Sequence, residues 1–224
     1  MTEQPYVPER RPIASRERQV SKRLAGWIAQ RGISPNVISV AGMIAGTLAG
    51  AAFAATRLPD WDRVFFLLAA LLMQLRLLAN MLDGMVAVQT QRASPVGELF
   101  NEVPDRVSDA AILVGAGYGA GGLPELGYLA ACVALFVAYV RAEGKVAGAP
   151  QEFCGPLAKP QRMFVMTVVA LYSGLAPREW QPALESFPWA GLPAAGLALI
   201  VLGGVWTAVR RLLRIAAALH RSNS

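Results

Sequence analysis

Asn80-Met81-Leu82-Asp83-Gly84-Met85-Val86-Ala87, then a polar turn, then Gly97-Glu98-Leu99-Phe100-Asn101-Glu102-Val103-Pro104-Asp105-Arg106-Val107-Ser108-Asp109 is the stretch whose reading decides the fold. Carboxylates, carboxamides and glycines recur in it at helical spacing, and strongly apolar segments lie on both sides. Asn80, Asp83, Gly84 and Ala87 share one helix face, at i, i+3, i+4 and i+7. Gly97, Asn101, Asp105 and Asp109 share a face of the next helix, each four residues apart. Ionisable groups within apolar spans are costly, so they are functional candidates by default. Two such faces, rich in oxygen ligands and short of bulk, suit a hard divalent cation holding a phosphate group.

Composition supplies the solvent. The 224-residue chain is 54% hydrophobic with a mean hydropathy of +0.40, which points to a membrane protein. Its first 30 residues are polar and basic, so no cleavable signal peptide is expected. Cys132 and Cys154 sit in an apolar segment and a later loop, and neither pairing nor metal-ligand spacing is apparent. The single histidine, His220, lies near the end of the chain and lends no support to histidine-based catalysis.

The segments follow outward from the motif. Residues 1–12 read as a disordered arm. From Ala14 to Arg31, Val20, Leu24, Trp27 and Ile28 recur at helical spacing opposite Arg16, Arg18, Lys22, Arg23 and Arg31. That pattern predicts a basic amphipathic helix in the membrane interface, the alternative being a soluble helix packed on a partner. Ser34 and Pro35 form a cap and first turn for a membrane helix from Pro35 to about Thr56. Its Gly42, Gly46 and Gly50 permit close helix packing. Further helices are expected over about 63–88, 95–119, 125–143, 161–174 and 189–213. Pro104 should bend the third. Arg76, four residues before Asn80, either contacts phosphate or snorkels.

Six spans return both termini to one side, and the basic residues agree. Arg10, Arg11, Arg16, Arg18, Lys22, Arg23 and Arg31 fall there, with Arg92, with Arg141, Lys145, Lys159 and Arg162, and with the four arginines from Arg210 onward. Only Arg57, Arg63 and Arg178 fall opposite. The positive-inside rule therefore places both termini and the motif in the cytoplasm. The net charge of +6 faces anionic lipid rather than nucleic acid.

The motif resembles that of the CDP-alcohol phosphatidyltransferase family, D-x2-D-G-x2-A-R-x8-G-x3-D-x3-D. Asn80, Asp83, Gly84, Ala87, Val88, Gly97, Asn101 and Asp105 occupy its positions with every gap length met. Three identities depart: Asn80 and Asn101 stand at aspartate positions and Val88 at the arginine position. Ser34-Pro35-Asn36-Val37 also resembles the family's entry to its first helix. The resemblance covers about Ile33 to Leu213. It implies an all-α fold of six transmembrane helices behind an N-terminal interfacial helix. The corresponding units are residues 1–32 as cytoplasmic arm and interfacial helix, 33–213 as transmembrane domain and 214–224 as cytoplasmic tail.

The same resemblance implies a transferase that moves a phosphatidyl group from a CDP-alcohol, CDP-diacylglycerol being favoured, to an alcohol acceptor with release of CMP. Mg²⁺ or Mn²⁺, one or two ions, would be held by Asp83, Asn80, Asn101 and Asp105, with Asp109 as a compensating ligand. Asp105 would be the general base. Asn36, Asp83, Gly84, Ala87 and Gly97 would receive the nucleotide. Arg141, Lys159 and Arg162 would bind the acceptor or its phosphate, Arg141 first among them, unless they are topogenic charge. A bacterial inner-membrane location and a homodimer are implied as well. Because the two asparagines remove charge from ligand positions, a non-catalytic relative that binds nucleotide-lipid or a partner stays open. A small transporter is disfavoured by the absence of internal repeats.

Overall fold

The computed structural model describes residues 18–90, 95–181 and 190–222. The arm over 1–12, Arg92, Ser94 and most of the proline-rich turn before the last helix lie outside these. The described residues form α-helices and no strands. The order is α1 (Gln19–Gln30), α2 (Pro35–Ala55), α3 (Asp62–Gln89), α4 (Pro95–Tyr118), α5 (Pro124–Val146), α6 (Lys159–Leu175), a 3-10 turn (Arg178–Trp180) and α7 (Leu192–Ser222).

Local chemistry accounts for the main boundaries. The Ser34 hydroxyl accepts from the Asn36 amide at 3.3 Å, and Pro35 takes the first position of α2, where its missing N–H costs nothing. α3 has 28 residues and is therefore ~42 Å long, more than a ~30 Å hydrocarbon layer requires. Asn80 and Asp83 lie in its last three turns. α4 continues through Pro104, and the Ser108 hydroxyl donates to the Pro104 carbonyl at 2.7 Å.

Six helices pack around a core that includes Phe53, Phe66, Met73, Ile112, Met163 and Leu197. Ile44, Leu71, Phe136, Leu202 and Trp206 point outward. An apolar exterior around an apolar core is what a bundle in lipid presents. Small residues set the closest approaches. A Cβ on Gly46 would lie 2.6 Å from the Ser108 Cβ, and one on Gly50 would lie 2.2 Å from the Ala111 carbonyl oxygen. The glycine stripe of α2 is thus engaged inside the chain, mainly by α4, and is not free to form a dimer face.

Two expectations change. Six spans are expected, and among the described residues four helices are long and apolar enough to cross a membrane: Pro35–Ala55, Asp62–Gln89, Pro124–Val146 and Leu192–Arg221. α4 falls short because its first half carries the motif's charges, and α6 because it has 17 residues. The expected tail is also helix. α7 continues to Ser222, where Ile215 packs against Val140 and Ala149. Arg211 is buried there, donating to the Cys154 and Val137 carbonyls at 2.9 Å each. It ties the α5–α6 connection down instead of facing lipid headgroups.

α1 divides its apolar side. Ala25, Ile28 and Ala29 pack on Leu82, Met85 and Val86 at the end of α3, while Val20, Leu24 and Trp27 remain exposed. The helix is amphipathic as expected, and one edge of it covers the back of the motif.

Candidate active site

The motif halves meet where α2, α3 and α4 converge. A cavity of about 10 Å³ is lined by Ser39, Gly42, Met43, Arg76, Asn80, Asp83, Asn101, Pro104, Asp105 and Ser108. That is room for about one water-sized sphere. Asp83 enters from α3, 4% exposed. Its Oδ2 accepts from the Ser39 hydroxyl at 2.7 Å and its Oδ1 from the Gly84 amide at 2.5 Å. Asp105 faces it from α4. Asp105 Oδ1 and its own carbonyl oxygen each accept from Arg76 Nη2 at 3.2 Å, and Oδ2 pairs with Lys159.

Behind Asp105 lies a second carboxylate with no route to solvent. Asp109 is 1% exposed, and so are Arg76 and Arg162. Its Oδ1 accepts from Arg76 Nη2 at 2.5 Å and its Oδ2 from Arg162 Nη2 at 3.1 Å. Arg162 also donates to the Leu157 carbonyl at 3.1 Å. This triad joins α3, α4 and α6. Asp109, expected as a compensating metal ligand, instead has each oxygen on a guanidinium and does not line the cavity.

The three cations expected at the acceptor end are divided by the fold. Lys159 reaches Asp105 directly. Arg162 is sealed in the triad. Arg141 donates to Glu102 at 2.7 Å, and Arg106 lies 3.3 Å from the same carboxylate. Arg141 therefore stands on the flank of the site, over the Phe153 ring at 5.6 Å. Val88, at the position of the family's arginine, is 58% exposed and takes no part. Asn36 is in the first turn of α2, Gly84 and Ala87 are buried on α3, and Gly97 is in the first turn of α4.

One participant went unrecognised in the sequence, and another took a different place from the one read for it. Ser39 lies one turn ahead of Gly42 on the stripe that faces α3 and α4, and that shared register was its available signal. Arg76 was singled out, but it neither snorkels nor sits exposed: it is buried among carboxylates.

The oxygen donors fit one divalent cation. Asp83 and Asp105 bring carboxylates, Asn80 and Asn101 amide oxygens, and the Asn101 Oδ1 is buried without a hydrogen-bond partner among the described residues. Two of the four matched ligand positions, Asn80 and Asn101, carry neutral carboxamides, so the cavity offers a metal the charge of two carboxylates, Asp83 and Asp105.

Comparison with known proteins identifies a family and a fold. Residues 32–209 match the family described as CDP-alcohol phosphatidyltransferase. The chain is 27% identical over 197 residues to a phosphatidylinositol phosphate synthase of Streptomyces avermitilis, covering 85% of this chain and 75% of that protein. It is 24% identical over 163 residues to an archaetidylinositol phosphate synthase of Pyrococcus horikoshii, covering 73% and 82% respectively. The fold is similar to crystal structures of Mycobacterium tuberculosis phosphatidylinositol phosphate synthase. One of these, with CDP-DAG bound, gives a TM-score of 0.69 at 19% identity, covering 88% of this chain and 94% of that one. Another, with manganese and citrate, gives 0.70 at 19%, covering 87% and 88%.

Proposed function

We propose, for a chain that belongs to the CDP-alcohol phosphatidyltransferase family, that the donor is CDP-diacylglycerol and the acceptor an alcohol already carrying a phosphate group. Membership makes the protein an enzyme of phospholipid synthesis, transferring a substituted phosphoryl group from a CDP-alcohol to a second alcohol. The names of its relatives support the finer reading, since the phosphatidylinositol phosphate and archaetidylinositol phosphate synthases are named for products that carry a phosphate on the inositol. The observation that carries it is the facing pair Asp83 and Asp105 across one small cavity, with Lys159 paired to Asp105.

Each residue then has a task. Asp83, Asn80, Asn101 and Asp105 would hold the divalent metal that the family uses. A bound Mg²⁺ or Mn²⁺ neutralises diphosphate oxygens and eases the departure of CMP. Ser39 and the Gly84 amide fix the Asp83 carboxylate, so that one geometry is ready before substrate arrives. Lys159 shifts from Asp105 Oδ2 to the anionic acceptor, and that oxygen then takes the hydroxyl proton. A bond forms from the acceptor oxygen to the distal phosphorus, the bond to the bridging oxygen breaks, and CMP leaves with that oxygen. Asn36, Gly84, Ala87 and Gly97 would receive the nucleotide, as the family resemblance implies.

We place α4 and α6 across the bilayer with the four longer spans, because they complete one bundle core with them. The motif and both termini face the cytoplasm of a bacterial inner membrane on the charge asymmetry of the loops. A homodimer would use a face other than the α2 stripe.

The test is CMP release by the full chain in nanodiscs containing CDP-diacylglycerol. The acceptors are inositol phosphate, glycerol 3-phosphate, inositol and serine. Release is expected with a phosphorylated acceptor and Mn²⁺, falling at least ~10²-fold in Asp105→Asn. Turnover of unphosphorylated acceptors alone would overturn the acceptor class. No turnover with any of them would overturn the assignment.

A further inference from the structure

Arg76 is a buried charge to which the proposed chemistry gives no task. Its Nη2 is engaged by Asp105 and Asp109, yet its Nε and Nη1 are buried with no hydrogen-bond partner among the described residues. The side chain is 1% exposed and lines the same cavity as Asn80, Asp83 and Asn101. A desolvated guanidinium edge calls for an acceptor. The ligand chemistry that suits a planar fork is a carboxylate or phosphate. Every carboxylate lining the cavity already has a donor, which leaves phosphate.

The charges around the cavity point the same way. Asp83, Asp105 and Asp109 are equalled in number by Arg76, Lys159 and Arg162, and Arg106 also lies 3.9 Å from Asp105, so the inner group carries no net negative charge before any ligand arrives. In the next layer Glu102 is outnumbered by Arg106 and Arg141. The diphosphate of a CDP-linked lipid carries two negative charges. One divalent cation balances it, and two would leave a surplus of positive charge in a desolvated site. Asn80 and Asn101 lie on the face next to Arg76, and a carboxamide there is compatible with a fixed cation nearby without adding charge.

We propose that Arg76 is a resident cation for the donor's diphosphate, taking the charge role of one of two metal ions, so that the site accepts a single divalent cation. This rests on the reading that a CDP-linked donor binds here. Arg76 Nε and Nη1 donate to diphosphate oxygens, and Asp105 and Asp109 hold the guanidinium in place.

The experiment counts metal ions directly. The full chain in nanodiscs is titrated with Mn²⁺ and followed by electron paramagnetic resonance, which reads stoichiometry and spin coupling without turnover. The unaltered chain is expected to bind one Mn²⁺ with an isolated-ion spectrum. The triple variant Arg76→Met/Asn80→Asp/Asn101→Asp is expected to bind two, with an exchange-coupled spectrum. At saturating Mn²⁺, CDP affinity should fall about tenfold in Arg76→Met, equivalent to ~1.4 kcal/mol, and recover in part in Arg76→Lys. Two coupled ions, or none, in the unaltered chain would overturn the proposal. So would unchanged CDP affinity in a folded Arg76→Met protein. Absence of CMP release would count against the transferase reading alone, because neither the ion count nor CDP binding needs turnover.

Discussion

Replacing Asp109 by asparagine should separate stability from chemistry at this site. The carboxylate is buried between two guanidiniums, at 2.5 Å from Arg76 and 3.1 Å from Arg162. Asparagine keeps the shape but offers one acceptor oxygen, and its NH₂ then points at a guanidinium donor. Breaking a buried pair by removing one partner costs ~3–5 kcal/mol, because the surviving charge stays desolvated. Two partners are affected here, although Arg76 retains Asp105. At ~2–4 °C per kcal/mol for a chain of this size, the thermal midpoint should fall by roughly 6–20 °C. The assay is thermal unfolding in nanodiscs, with Arg178→Gln as control. That variant breaks the Arg178–Asp62 pair, whose arginine is 69% exposed, and exposed pairs contribute ~0–1 kcal/mol. Adding Arg162→Met to Asp109→Asn should recover part of the loss, since one unmatched cation disappears with it. If Asp109→Asn shifts the midpoint no more than Arg178→Gln does, the buried triad does not hold α3, α4 and α6 together.

Two further outcomes follow from named contacts. Gly50→Ala places a methyl group 2.2 Å from the Ala111 carbonyl oxygen. The α2 and α4 backbones must then separate, so unfolding should become easier by ~1–3 kcal/mol despite alanine's better helix propensity. Gly26→Ala meets nothing closer than 3.9 Å and should be neutral or slightly stabilising in the same measurement. Ser39→Ala removes the 2.7 Å bond to Asp83 and with it ~1.5–3 kcal/mol of orientation at a charged acceptor. CMP release should drop at least about tenfold, with the thermal midpoint changed far less.

The sequence disclosed what repeats locally. The start of α2 follows from Ser34 and Pro35, and the two motif faces from four-residue spacing, because caps and helical periodicity act over one or two turns. What it did not disclose depends on partners far apart in the chain. Arg76 finds Asp105 and Asp109 on the following helix, 29 and 33 residues later, and no local pattern selects those acceptors over phosphate or solvent. Arg211 shows the same difficulty. A cluster of arginines after an apolar run reads as the end of a span, yet this one turns inward to two backbone carbonyls, and α7 continues past it. Arg141 lies on the expected side of the bundle, but Glu102 claims it.

The asparagines and Arg76 are best understood together. Read alone, Asn80 and Asn101 are losses: two carboxylates fewer at ligand positions, and so a weaker hold on metal. Arg76 read alone is an arginine buried at some cost. Their positions join the two observations. Arg76 and Asn80 are one turn apart on α3, and Asn101 and Asp105 are one turn apart on α4, all four lining one cavity. Restoring aspartate at both asparagine positions while keeping Arg76 would draw the guanidinium away from Asp105 and Asp109 and loosen the triad behind. Removing Arg76 while keeping the asparagines would leave Asp109 with Arg162 alone and the cavity short of cations. Either partial change alters the charge of a buried cluster whose members share one cavity and common partners, so the three residues should show strong non-additivity in metal binding and in stability alike. Charge balance in a desolvated site is thus a constraint on which residues can change together, and here it ties a change of ligand chemistry to one arginine on the same face.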